Sequence, residues 1–325
     1  MSSWTAWIFA VALLVALLID HTLGEPPARW HPVVWMGNYL NAAAKRVLPV
    51  FSVPLDSRED ARDLKAFTLG AVYWLAGAAI ILLVTVALQW TLFKLPWLLA
   101  ALLMGLALKP LLAWAMLSRE VQAVETALAE SLEAGRERLS WLVSRDTSCL
   151  SESEVRESAI ESLAENLNDS VVAPIFWFVL FGLPGAALYR FANTADAMWG
   201  YKGMRNGVNW EWAGKWAARA DDVLSWLPAR ITALLLVLVA GGLNVKALML
   251  EARKTPSPNS GWPMAAMALA LNVSLRKPGV YVLNPDGRQA QGLDTVLAQK
   301  YSLKVVAAAC LWAQAGIVLM AVMYS

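Results

Sequence analysis

Apolar positions along this chain fall into long blocks separated by polar stretches. Residues 4–19 are continuously apolar and are closed by Asp20 and His21. That run is marginally short for a bilayer span, which takes about 20 residues, but its flanks can snorkel. Residues 66–90 form the strongest block. After a turn at Lys94 and Pro96, residues 97–117 form another, interrupted by Lys109 and Pro110. The lysine is expected to snorkel or to face protein, and the proline to kink the helix. Residues 305–323 make a last clean span. Two blocks are weaker. Residues 171–191 are broken by Pro174, Gly182, Pro184 and Gly185, and 231–243 is too short to cross.

This pattern predicts an all-α, polytopic integral membrane protein, a single domain over 1–325. It has four full spans, two short or re-entrant apolar segments, and helical loops between them. No basic leader precedes 4–19 and no small-residue cleavage site follows it, so the run reads as a retained anchor. Basic residues set the expected orientation. Loop 21–65 (with Arg29, Lys45, Arg46, Arg58, Arg62 and Lys65), loop 118–170 and region 244–302 are rich in Lys and Arg, whereas the turn at Lys94 is not. The positive-inside rule puts those three regions in the cytoplasm. The two weak segments must then both cross or both return. Their Pro/Gly interruptions and short length favour return, because broken apolar segments are tolerated where they are buried in protein or line a cavity. The location implied is the cell (inner) membrane, with the lipid bilayer as a partner.

Composition agrees. Hydrophobic residues are 58% of the chain, against about 45–50% in soluble domains. The net charge of +2 gives no reason to expect a nucleic-acid partner. The 17 tryptophans suit an aromatic belt at the membrane interface. Two distant cysteines, Cys149 and Cys310, argue against a disulfide framework or zinc cluster. No internal repeat marks a two-halved transporter, and only Lys109 intrudes on a full span.

The most polar feature is the stretch 144–170. It opens with the turn Ser144-Arg145-Asp146-Thr147. Ser151 then stands three residues before Glu154, the signature of a capping box. In the helix that follows, Glu157, Glu161, Glu165 and Asp169 recur at four-residue steps and stack along one side. Val155, Ile160, Leu163 and Leu167 take the core-facing side. Like charges at this spacing repel by a few tenths of a kcal/mol per pair in water and by more when desolvated. Taken alone, the stripe reads as a solvated acidic face; a divalent-cation site is the sharper alternative.

Other polar motifs flank it. Asp20, His21, Glu25 and His31 include both histidines of the chain, but their spacing matches no standard metal site, and a packed turn is the simpler reading. Asn193 and Asp196 share a helix side at the border of an apolar segment, either as a capping pair or as oxygen ligands. Residues 209–227 are amphipathic and contain Asp221-Asp222. The run 255–263 (T-P-S-P-N-S-G-W-P) precedes a short apolar helix over 264–272. It is rich in small donors, which favours an anion cradle over a plain turn. No Walker A, GxGxxG or GxSxG pattern occurs.

Taken together, these motifs resemble the adenosylcobinamide-phosphate synthases, the CobD/CbiB family of cobalamin biosynthesis. The resemblance runs almost end to end. It rests on Asp20, Gly24-Glu25-Pro26-Pro27 and His31-Pro32, on Ser144-Arg145-Asp146-Thr147, and on Glu161-Ser162-Leu163-Ala164-Glu165-Asn166 with Asp169. It continues through Asn193-Thr194, Asp196-Ala197-Met198, Asp221-Asp222, Pro228-Ala229-Arg230 and Ser257-Pro258-Asn259-Ser260-Gly261. Glu25, Ser170 and Met264 depart from the family's commoner Asp, Gly and Glu.

The resemblance implies ATP-dependent amide ligation. Aminopropanol phosphate or ethanolamine phosphate is joined to the free propionate of adenosylcobyric acid, with ATP and Mg2+ required and an acyl phosphate expected on the way. Other membrane enzymes of the cobalamin pathway are candidate partners. A non-catalytic membrane sensor of the same fold is the alternative. The residues carried over as catalytic are Arg145, Asp146, Glu165, Asn166 and Arg230. Those expected at the cofactor are Ser257, Asn259, Ser260, Gly261 and Asn193, and those at the metal are Glu161, Glu165, Asp169 and Asp196. Glu157 is left as a solvated surface residue.

Overall fold

The computed structural model describes residues 3–48, 62–205 and 207–323; Arg58 of the basic loop lies outside them. Twelve α-helices are present among these residues, with two minor β-pairings. α1 (Ser3–Leu23) is apolar on all sides, as a membrane-embedded helix is. It packs along α4 (Trp97–Leu108). A Cβ on Gly105 would lie 2.7 Å from the Val15 side chain and 2.8 Å from the Ala12 carbonyl. Only glycine lets these two backbones approach so closely. α2 (Pro32–Val47) is amphipathic and starts at His31. α3 (Leu64–Leu92) is the longest uninterrupted apolar helix before the site.

Pro110 does more than kink its helix. α4 ends at Leu108, a tight 3₁₀ turn runs over Lys109–Leu111, and α5 (Trp114–Glu130) starts afresh. α6 (Leu132–Leu139) follows, and then α7 (Glu152–Leu167), whose start carries the capping box of Ser151 and Glu154 as expected. A π-helical turn over Asn168–Val172 joins α7 to α8 (Ala173–Trp199).

α8 is not a straight rod. Gly182 sits at φ 68°, ψ −149°, and the chain folds back there. Beyond the bend, Arg190 donates to the Asp169 carbonyl at 3.0 Å, and a Cβ on Gly185 would lie 2.3 Å from the Trp177 carbonyl. The 171–191 segment is thus a helical hairpin with both ends at the polar end of the bundle. The Gln89 side chain of α3 caps its tip, accepting the Leu183 N–H at 2.8 Å.

The 231–243 segment is the apolar half of a 25-residue helix, α9 (Lys215–Val239). Its first half is amphipathic, so the sequence pattern shows only the second half as apolar. Among the described residues, six helices are long and apolar enough to cross a membrane by length and composition. The six include the folded Glu152–Trp199 element and α9, where the sequence pattern marks four full spans. α10 (Val245–Ala252) and α11 (Gly261–Leu271) lead to a hairpin of β1 (Leu275–Lys277) and β2 (Tyr281–Leu283), and α12 (Gly292–Met323) closes the bundle. The apolar interior is one large cluster running through all the long helices. The polar regions collect at one end of it. Asp20 accepts the Ala115 N–H at 2.8 Å, Thr295 donates to Glu125 at 3.0 Å, and Arg276 meets Glu157 at 2.8 Å.

Candidate active site at the polar end of the bundle

The acidic stripe of α7 is built into the protein, not onto its surface. Glu157 is fully buried. It pairs with Arg276 of β1 at 2.8 Å and accepts from Ser153 at 2.9 Å. This corrects the solvated assignment of Glu157: the β1–β2 hairpin, over 100 residues away in sequence, covers that face. One turn on, Glu161 has both oxygens engaged, by Arg145 at 3.2 Å and by the Tyr281 hydroxyl at 2.6 Å. Burial, reinforced by the Glu161 charge, pushes the Tyr281 phenol well above its ordinary pKa, so it stays a donor.

Glu165 is different. Its carboxylate has no hydrogen bond or ion pair among the described residues. It lies within electrostatic range of Asp169, Glu161, Lys277 and Asp196. It faces a cleft of about 150 Å³ lined by Ser144, Arg145, Ser158, Glu161, Ser162, Asn166 and Lys277. Asn166 is anchored to its own helix through the Ser162 carbonyl at 3.0 Å. A second, more apolar cleft shares Leu142, Ser162 and Asn166 as a wall and opens beside Met116 and Trp141. Asp146 is not part of either lining. It is an exposed turn residue whose carboxylate accepts the Ser148 N–H at 2.9 Å, and that bond holds its pKa below the ordinary value.

Beyond Glu165 the polar seam continues. The π-helical turn redirects Asp169 toward the α8 hairpin, a use of such turns that is frequent at functional sites. Asp169 accepts from Asn168 at 2.7 Å, Asn193 at 3.1 Å and Tyr189 at 3.4 Å. Asn193 also reaches Asp221 of α9 at 3.4 Å, and Tyr189 meets Ser225 at 3.1 Å. Asp196 lies near Asp169 and Asp222. Among the described residues no group of three or more His, Cys, Asp or Glu side chains is gathered closely enough to hold a metal ion. Glu161, Glu165, Asp169 and Asp196 therefore do not form one ready coordination sphere, and Glu161 is already satisfied by protein donors.

The 257–261 loop adjoins this seam through Asn259, whose amide donates to the Asp222 carbonyl at 2.7 Å. Its own groups are largely engaged with each other. The Ser257 hydroxyl accepts the N–H groups of Asn259 and Ser260 at 3.2 and 3.3 Å. Gly261 is required by packing, since a Cβ there would lie 2.1 Å from the Ala252 carbonyl. Arg230 binds the loop directly, through the Asn259 side chain and the Pro258 carbonyl. Its guanidinium lies 4.8 Å from the Trp226 ring and 4.9 Å from that of Trp262, within cation–π range of both.

Several residues at this end carry no motif signal. Lys277 and Tyr281 sit on the β1–β2 hairpin, and the turn signal Pro278-Gly279 between two short strands is their trace in the sequence. Tyr189 and Arg190 hide in an apolar block. Asp221 stands in a marked motif, yet only the fold brings it to Asp169.

Comparison with known proteins gives the family of the chain. The family described as CobD/Cbib protein matches residues 13–310. The chain belongs to the CobD/CbiB family. One CobD/CbiB relative, the "Probable cobalamin biosynthesis protein CobD" of Methanothermobacter thermautotrophicus, is 40% identical over 87% of this chain and 88% of its own length. The "Cobalamin biosynthesis protein CobD" of Chromobacterium violaceum is 41% identical over 82% of this chain and 81% of its own. That of Halalkalibacterium halodurans is 36% identical over 88% and 86%. No solved structure matches the chain.

Proposed function

We propose that this CobD/CbiB protein is a cobalamin-biosynthetic enzyme of the membrane that makes an amide. It joins the amine of aminopropanol phosphate or ethanolamine phosphate to the free propionate of adenosylcobyric acid, at the expense of ATP. One observation carries the reading. Arg145, Glu161, Glu165, Asn166, Asp169, Asn193, Asp196, Asp221 and the 257–261 loop come from five separate parts of the chain and converge on one polar end. A sensor without chemistry has no need of a cleft-facing carboxylate with no partner beside arginine and lysine donors.

In this scheme the residues divide the work. Arg145 and Lys277 neutralise anionic groups in the cleft, and Glu165 handles the proton of the attacking amine. Asp169, Asp196 and Asp221 offer only oxygen donors, the chemistry a hard divalent ion takes, so they are the residues that would hold Mg2+. ATP and Mg2+ supply the phosphoryl group and the charge neutralisation that turn a poor acyl donor into a good one. Arg230, with the loop it holds, walls the seam on the α9 side. The second, more apolar cleft and the exposed Trp141 suit the flat face of a broad corrin. The site end is assigned to the cytoplasmic face of the inner membrane by its Lys and Arg content.

The test uses the purified full chain in nanodiscs with ATP, Mg2+, adenosylcobyric acid and aminopropanol phosphate. Mass spectrometry should show the amide, with one phosphate released per amide formed. Folded protein that gives neither product overturns the ligase reading and leaves the sensor.

A further inference from the structure

The small cleft beside α7 has a charge layout that specifies its occupant more closely than the family does. Arg145 uses one nitrogen on Glu161, while its buried Nε and Nη1 have no hydrogen-bond partner among the described residues. The Lys277 side chain has no hydrogen bond or ion pair among the described residues, yet Lys277 lines the same cleft and lies within electrostatic range of Glu165. Glu165 is likewise without a protein partner. At about 150 Å³ the space falls below the roughly 300–1,000 Å³ of pockets that enclose drug-sized ligands. The space does not enclose a whole corrin or nucleotide. Spare cationic donors and a spare carboxylate in so small a volume match a small zwitterion.

We propose that this cleft is the subsite of the amino alcohol phosphate, with the phosphate held by Arg145 and Lys277 and the ammonium held by Glu165. The assignment rests on the amide-ligase reading for the fate of the amine, and on the cleft alone for the binding mode. It makes Lys277, which no motif marks, a phosphate-binding residue and the β1–β2 hairpin its carrier. It also gives Glu165 a defined step. One ammonium N–H bond breaks, its proton passes to the Glu165 carboxylate, and the freed nitrogen lone pair forms the C–N bond. As phosphate leaves the acyl carbon with its bonding pair, a second N–H proton passes to the departing phosphate and leaves the neutral amide. Ser144, Ser158 and Ser162 add short hydroxyl groups to the lining. Tyr281 keeps Glu161 on Arg145, so that Glu165 alone faces the amine.

The same chemistry, a phosphate two or three atoms from an amine, also occurs in the headgroup of phosphatidylethanolamine, and the experiment separates the two sources. The full chain is placed in nanodiscs of phosphatidylglycerol, and binding of aminopropanol phosphate, propyl phosphate and aminopropanol is followed by calorimetry, without ATP or corrinoid. The zwitterion should bind at least about tenfold tighter than either half, as loss of one charged hydrogen bond implies. Lys277→Met should weaken aminopropanol phosphate and propyl phosphate alike. Glu165→Gln should weaken aminopropanol phosphate and leave propyl phosphate unchanged, a split that a merely structural role would not produce. Equal affinity for propyl phosphate, or wild-type binding by Lys277→Met, overturns the subsite. Loss of free-ligand binding when phosphatidylethanolamine replaces phosphatidylglycerol assigns the cleft to lipid and overturns the soluble-substrate assignment. Amide synthesis that persists with no zwitterion preference in binding sinks this subsite and spares the ligase reading. Zwitterion binding without amide synthesis does the reverse.

Discussion

The Lys109 ammonium lies 2.7 Å from Glu25 Oε1 and 3.2 Å from Asp20 Oδ1, inside the protein and not at a membrane surface. These are charge contacts, for neither the ammonium nor the two facing oxygens has an aligned hydrogen bond there. The Lys109 side chain is only 3% exposed, so of the two fates open to it, snorkelling and facing protein, the fold selects the second. Removing one partner of such a buried pair costs roughly 3–5 kcal/mol, because the other charge is left uncompensated. Lys109→Met should therefore lower the thermal midpoint in detergent sharply. The triple change Lys109→Met, Asp20→Asn, Glu25→Gln should recover much of the loss. A single variant as stable as wild type would refute the pairing.

Glu25 carries a pH signature. Burial pushes its pKa up, but the hydrogen bond from His31 and the close charges of Lys109 and His31 outweigh it and leave it below the ordinary 4.5. His31 Nδ1 accepts the Val33 N–H, so Nε2 carries the proton and faces Glu25 at 3.1 Å. A folded-state pKa below the unfolded one means stability that is complete above about pH 4.5 and is lost as pH falls through the folded value. Melting temperatures recorded from pH 7 to pH 3 should drop in the acid range for wild type, and less steeply for Glu25→Gln.

Tyr281→Phe removes the 2.6 Å bond to Glu161 without altering the volume of the cleft wall. A hydrogen bond to a charged group is worth roughly 1.5–3 kcal/mol, so Glu161 becomes free to compete with Glu165 for the amine. Turnover should fall about tenfold or more while the circular dichroism spectrum stays that of wild type. Unchanged turnover would remove Tyr281 from the site.

Gly182 is the bend of the α8 hairpin. Its φ of 68° and ψ of −149° lie where side chains are strained by about 1–3 kcal/mol. A Cβ there would also fall 2.1 Å from the Gln89 amide oxygen. Gly182→Ala should lower the melting temperature, and adding Gln89→Ala should relieve the clash but not the backbone strain. Full rescue by the second change would show that sterics, not conformation, make glycine necessary.

Much of this was legible in the chain because it depends on neighbours in sequence. The long apolar blocks predicted α1, α3, α4 and α12. Ser151 and Glu154 marked the start of α7, and Pro174, Gly182, Pro184 and Gly185 marked a segment that returns instead of running straight. The motifs that resemble the CobD/CbiB family also pointed to the polar end before any contact was known. Local periodicity decides which residues share a helix face, and turn residues decide where a helix stops.

What occupies the other side of a face is another matter, and here the tertiary structure decided. Glu157, Glu161 and Glu165 are equivalent in the sequence, one turn apart on one stripe. Arg276 neutralises the first, and Arg145 with Tyr281 satisfies the second. The third is left facing a cleft. Arg276 and Tyr281 arrive on a hairpin more than 100 residues away that carries only weak signals of its own, and Arg145 folds back from the turn before the helix. Burial then makes the outcome energetic: in a desolvated setting a carboxylate with a cation beside it is structural, and one left without a protein partner is available for chemistry. The pattern of charges was in the sequence, and the fold sorted those charges into held and free.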